Sequence, residues 1–314
     1  MRHVTAMRHR LEYDIVVAVR TLARLLPRSA SLALGTALGG IFYMFQGRRR
    51  KLAVANLRAA FPDRSEAECR AILRATFHQF GRHVLDLLNF DAMGRDQMMG
   101  LVEWQGDEHV QRAVAKGRGI MYFTGHFGCW ELQIMVHAFR FGPIVMVART
   151  LDNPLLERLI EHIRSRVGTR VLPRQGAIRG LLGALTRHES VGMMIDQHIQ
   201  DRSAVVVNFF DRPAATTSAI AALALRTGAP IIPVFAVPLP GGRYRMIYEA
   251  PIELPAEDDA DPVRTCTERC TAVLEQYVRR DPHLWLWMHR RWRVPHAEAD
   301  TSESTAVEAP DRGA

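Results

Sequence analysis

Gly119-Ile-Met-Tyr-Phe-Thr-Gly-His126-Phe-Gly-Cys-Trp-Glu131-Leu132 is the stretch on which the fold turns. Residues 120–123 are a short apolar run that reads as a buried strand, and Thr124-Gly125 reads as a turn. Trp130, Leu132, Ile134, Met135 and Phe139 then recur at helical spacing. His126 therefore stands where a strand ends and a helix begins, the edge of an α/β sheet at which ligands collect. Glu131 follows about one and a half turns later, so an imidazole at the turn can fold back towards it. A carboxylate beside an imidazole fixes its tautomer and stabilises the imidazolium formed when it takes a proton. A bare His-x4-Glu is more often a helix-start residue and a solvated charge. The setting after a strand, with Gly125, Gly128 and Trp130 around it, favours acid–base chemistry on a hydroxyl.

Working outward, further apolar runs at 144–148, 191–195, 204–209 and 231–237 alternate with helical stretches. The pattern predicts an α/β fold with a mostly parallel central sheet flanked by helices. Ser65 and Glu68 have capping-box form and open a helix to about residue 88. Another helix is expected over 262–279. Residues 295–314 hold no large apolar side chain and read as a disordered tail.

The N-terminal part is more ambiguous. Residues 12–26 carry apolar positions at helical spacing, with Arg20 and Arg24 on the polar side, up to Pro27. Residues 29–47 are uncharged and lie near the lower length limit for a bilayer span. Ser31, Gly35 and Gly39 recur every four positions, as on a membrane helix that another backbone approaches closely. Arg48, Arg49, Arg50 and Lys51 would hold one end at the headgroups. Arg20, Arg24 and Arg28 flank the other end, so charge does not decide whether the segment spans, and a core helix is the alternative. The expected organisation is an amphipathic helix plus N-terminal helical membrane anchor over 1–62, a catalytic domain over 63–294 and the tail over 295–314.

The chain has 314 residues, is 48% hydrophobic and carries a formal charge of +8. It is long enough to bury a substantial core. Arginine supplies almost all the basic count, which suits phosphate groups or an acidic partner surface. No secretory leader is evident, since Glu12 and Asp14 interrupt the N-terminal region. Four cysteines, Cys69, Cys129, Cys266 and Cys270, make no disulfide framework and fit a reducing, cytosol-facing compartment. Cys129 reads as a small buried residue before it reads as a nucleophile. A metal centre built from His126, Glu131, Asp196 and His198 has none of the established zinc spacings, so no metal is expected. Arg149 follows the run at 144–147 and should project at the same sheet edge as His126. Arg170, Arg174 and Arg179 precede the Asp196 strand and are candidates for acceptor phosphates or an acidic carrier. Trp285, Trp287 and Trp292 alternate with Arg290, Arg291 and Arg293, which reads as a headgroup-level belt before it reads as a nucleic-acid surface.

With these residues in view, the chain resembles the late acyltransferases of lipid A biosynthesis, within the lysophospholipid acyltransferase superfamily. The resemblance runs from about Leu26-Pro27 to Arg293 and rests on His126-x4-Glu131, Asn56-Leu57, Phe61-Pro62, Arg149 before Asp152-Asn153-Pro154, Asp196-Gln197, Phe209-Phe210, Thr216-Thr217, Thr227-Gly-Ala-Pro230 and the segment 285–292. It implies His126 as general base and Glu131 as its orienting carboxylate. Arg149 and Asp196 become further active-site residues, with Gly125, Gly128 and Arg174 on the substrate side. Backbone N–H groups near residues 125–128, or a basic side chain, would meet the oxyanion. The implied donor is an acyl carrier protein thioester, or acyl-coenzyme A, and the implied acceptor is a membrane glycolipid, a lipid A precursor hydroxyl. No cofactor or nucleic acid enters, and the location is the inner (cytoplasmic) membrane with the catalytic domain facing the cytoplasm. Acylation of another glycolipid or a lysophospholipid, and a non-catalytic lipid-binding role, are the competing functions. Phe209, Phe210 and the helix at 218–225 are the expected lining of an acyl groove. Cys129 stands where Asn is common and Asp211 where Gly is common, and the latter bears on loop geometry.

Overall fold

A computed structural model describes residues 2–200 and 203–293. Four long helices come first: α1 (Arg2–Leu25), α2 (Arg28–Phe45), α3 (Gly47–Ala60) and α4 (Glu66–Asn89). The rest alternates: α5 (Arg95–Met99), β1 (Val102–Gln105), α6 (Asp107–Ala115), β2 (Ile120–Thr124), α7 (Trp130–Phe141), β3 (Ile144–Ala148), α8 (Pro154–Ser165), β4 (Arg170–Pro173), α9 (Ala177–Thr186) and β5 (Ser190–Met194). After these come β6 (Ala204–Phe209), β7 (Arg212–Thr217), α10 (Ala219–Thr227), β8 (Ile231–Leu239), β9 (Arg243–Tyr248) and α11 (Pro262–Arg280).

Among the described residues, seven strands form the central sheet in the order β1-β9-β8-β2-β5-β3-β4. Every neighbouring pair is parallel except β8 with β9. The central strands β2 and β8 are almost wholly buried, as expected where helices cover both faces. The run at 204–209 does not join this sheet. It forms a separate antiparallel hairpin with β7, closed by the two residues Phe210-Asp211. Both have φ of +56°, which a two-residue turn of the I′ type demands and which explains why glycine suits position 211.

The expected N-terminal membrane anchor is corrected in its spanning form at α2. Among the described residues, no helix is long and apolar enough to cross a membrane. Instead, α2 packs along α4 through the small residues Ser31, Gly35 and Gly39, all buried. A Cβ on Gly39 would stand 2.1 Å from the Phe77 carbonyl oxygen, and one on Gly81 would stand 2.1 Å from that of Gly35. The repeat that reads as a membrane contact is an internal helix seam. Arg20 and Arg24 both pair with buried Asp91, and Arg28 donates to Asp86 at 3.0 Å. Those charges are thereby committed inside the protein. At α4, Ser65 and Glu68 form the capping box. The expected tail at 295–314 lies outside the described residues.

Candidate active site

Four adjacent strands deliver the site. In the order β2, β5, β3, β4, their C-terminal ends lead to His126, Asp196, Arg149 and Arg174. Register makes the first two meet: Thr124 lies opposite Met194, so two residues further on His126 lies opposite Asp196. The His126 Nδ1–H donates to Asp196 Oδ1 at 2.9 Å, and the His126 backbone N–H donates to Asp196 Oδ2 at 2.7 Å. Trp285 Nε1–H donates to the same Oδ2 at 2.9 Å. Asp196 is 1% exposed, yet three donors hold it ionised. Burial pushes its pKa up, but His126 and these bonds pull it well below the usual carboxylate range. The imidazole responds in kind: burial opposes its protonation, but the charge and hydrogen bond of Asp196, helped by the charge of Glu131, outweigh this and raise its pKa above the usual 6.5.

With Nδ1 committed, Nε2 carries the lone pair. It faces the Gln197 amide, which donates across 3.3 Å, and it borders a cleft of about 360 Å³.

Glu131 is not the partner of His126. Arg164, on α8, grips the Glu131 carboxylate with two bonds of 2.6 and 3.1 Å, and both side chains are largely buried. The backbone explains why: Glu131 lies in the first turn of α7, while His126 stays beyond its start on the β2 side. The sequence gives no signal for Arg164, because its link to Glu131 exists only once α8 packs beside α7.

Gly125 is required by side-chain packing and Gly128 by the backbone. A Cβ on Gly125 would stand 3.2 Å from the Asp196 carboxyl carbon. Gly128 has φ of +62°, and a Cβ there would meet the Ala236 carbonyl oxygen at 2.1 Å. Three backbone N–H groups over this turn are already bonded. Phe127 N–H goes to the Gly125 carbonyl, Gly128 N–H to Leu284 and Cys129 N–H to Ala236. Basic side chains that line the cleft are the other expected oxyanion donors. Arg149 lines the cleft, is exposed and pairs only loosely with Asp152 at 3.0 Å. Arg174 lines the same cleft.

A narrow apolar pocket adjoins the cleft. It runs between β2, β3, β5 and α7, and shares Trp130, Met146, Val147, Met193 and Met194 with it. At its lining, His137 is held neutral, burial pushing its pKa down to about 3. Phe209 and Phe210 are elsewhere, packed with Trp287 and Trp292 in the core. Trp285 and Trp287 are fully buried, and Arg291 donates to the Ala215 carbonyl and Thr216 hydroxyl. The segment 285–292 is therefore core and site support, not a headgroup belt. Cys129 is buried beside His83, 3.3 Å from its Nδ1, and burial raises its thiol pKa.

A family model described as bacterial lipid A biosynthesis acyltransferase matches residues 2–294. The lipid A biosynthesis lauroyltransferase of Escherichia coli (strain K12) is 30% identical over 283 residues, covering 88% of this chain and 90% of that one. The palmitoleoyltransferase of the same organism is 25% identical over 271 residues, covering 86% and 87%. The solved 1-acyl-sn-glycerophosphate (LPA) acyltransferase PlsC of Thermotoga maritima aligns over 78% of this chain and 96% of that one, with 15% identity and a TM-score of 0.36. On the strength of a match along almost its whole length, this chain belongs to the bacterial lipid A biosynthesis acyltransferases and is an acyltransferase.

Proposed function

We propose that the enzyme transfers a fatty acyl chain from an acyl carrier protein thioester to a hydroxyl of a lipid A precursor. The observation that carries the mechanism is the Nδ1 bond from His126 to Asp196, which leaves Nε2 as a base on the cleft. The acceptor hydroxyl displaces Gln197 and gives its proton to Nε2 as its oxygen attacks the thioester carbonyl carbon. The tetrahedral oxyanion is met by Arg149, whose loose surface pair leaves it free to turn inward. Collapse breaks the carbon–sulfur bond, and the imidazolium of His126 returns its proton to the leaving thiolate, which departs as the thiol and restores the neutral base. The acyl chain enters the cleft past Trp130 and Met146. No cofactor is needed for this sequence of steps.

We place the enzyme at the cytoplasmic face of the inner membrane. Val4, Met7, Leu11, Ile15, Leu22 and Leu25 form an exposed apolar stripe along one face of α1, the form of a helix lying in the interface. The decisive experiment is mass spectrometry of lipid A after incubation of precursor and acyl-carrier thioester with wild type and with His126→Ala. An added acyl mass from the wild type alone is expected. Equal transfer by the variant would remove His126 from the chemistry.

A further inference from the structure

We infer that the groove between α3 and α4 is a binding site for the phosphate of an anionic phospholipid headgroup, separate from the catalytic cleft. The groove has a volume of about 700 Å³. On α3, Arg50, Lys51 and Arg58 line it, and on α4, Arg70 and Arg74 face them. Glu66 is the carboxylate among the lining residues; Arg70 holds it and Arg58 approaches it at 3.8 Å. Five cations against one carboxylate leave four positive charges in excess, a repulsive arrangement that a phosphate relieves. Tyr43 organises two of them, with Arg50 and Arg74 lying 4.8 and 5.9 Å from its ring centre.

The rim identifies the occupant. Beside Tyr43, the end of α2 exposes Ile41, Met44 and Phe45, the last at 80%, and Arg48 and Arg49 follow at once. Free inorganic phosphate or a nucleic-acid backbone meets the charges but gives no partner to these apolar side chains. A bilayer surface gives both, placing phosphates in the groove while Met44 and Phe45 enter the acyl boundary. The site rests on the proposal that the enzyme works at a lipid surface, but it does not depend on acyl transfer.

The test is flotation of the purified full-length protein with vesicles of phosphatidylcholine, with or without phosphatidylglycerol. Lys51→Gln/Arg58→Gln/Arg74→Gln is compared with a control of equal charge loss, Lys116→Gln/Arg166→Gln/Arg226→Gln, at exposed positions away from the groove. The groove triple should bind phosphatidylglycerol vesicles at least about tenfold more weakly, and the control within about twofold of wild type. Lys51→Gln alone, the mildest change, should lose about fivefold. Equal losses in both triples, or no loss in the groove variants, would overturn the site. So would unchanged vesicle binding combined with lost affinity for acyl carrier protein, which would make the groove a protein dock. Binding is read without catalysis, so an enzyme inactive on lipid A would leave this result standing.

Discussion

The Nδ1 of His126 is bonded to Asp196, 70 residues away in sequence, and not to Glu131, five residues away. The carboxylate that orients the imidazole comes from a neighbouring strand, and the local one is tied to Arg164. The two acidic residues therefore have separable effects.

Asp196→Asn removes the charge that raises the His126 pKa and leaves the imidazole free to take the other tautomer. A loss of about 10³- to 10⁴-fold in kcat is expected, by analogy with carboxylate-to-amide changes behind other catalytic histidines. The pH profile gives a sharper readout. The base works unprotonated, so activity rises with pH through its pKa, which in wild type lies above 6.5. In Asp196→Asn the acid limb of kcat/KM should move to lower pH. A limb that stays put would separate Asp196 from the titrating group.

Arg164→Met leaves the buried Glu131 carboxylate without its partner. Thermal and chemical denaturation should show a loss of about 3–5 kcal/mol. Adding Glu131→Gln should recover most of it. The double variant keeps the His126–Asp196 pair intact, so it should retain far more activity than His126→Ala. A double variant as inactive as His126→Ala would return Glu131 to the chemistry.

Cys129→Ser should transfer acyl chains within a few fold of wild type. The thiol is buried against His83 and its pKa is raised, so it supplies no thiolate. A covalent acyl adduct on Cys129, seen in the intact mass of the enzyme after rapid quenching, would contradict this.

Asp211→Gly tests the hairpin that closes β6 and β7. A non-glycine residue at φ of +56° carries backbone strain of about 1 kcal/mol. The Asp211 side chain is almost fully exposed, and its 3.4 Å ion pair with Arg279 returns little of that. Urea denaturation should show the variant more stable by about 1 kcal/mol with kcat unchanged. An altered acceptor preference would give this loop a part in substrate fit.

Much of this was legible from the chain alone wherever the information is local. The strand, turn and helix around His126 follow from residue order, and so do the capping box at Ser65 and the strands at 144–148 and 231–237, the latter running two residues further in the structure. What escaped needed a partner distant in sequence. Asp196 faces His126 only because β5 inserts between β2 and β3. The strand β1, which holds Glu103, and β4, which opens on Arg170, are short and partly polar, so periodicity does not mark them. The apolar, small-residue pattern of α2 is the same for a membrane contact and for a tight soluble seam; Gly81 on α4 decides between them.

That seam can be probed directly at Gly39. A methyl group there would meet the Phe77 carbonyl oxygen at 2.1 Å, a backbone atom that cannot swing aside. Gly39→Ala must therefore push α2 off α4, opening contacts around Phe77 and Phe42. Ordinarily Gly→Ala in a helix gains up to about 1 kcal/mol from propensity. Here the expected sign is reversed, with a net loss of about 1–3 kcal/mol from overpacking. Were α2 a lone lipid-facing helix, the change would be neutral or stabilising, so the direction of the shift in denaturation midpoint distinguishes the two arrangements.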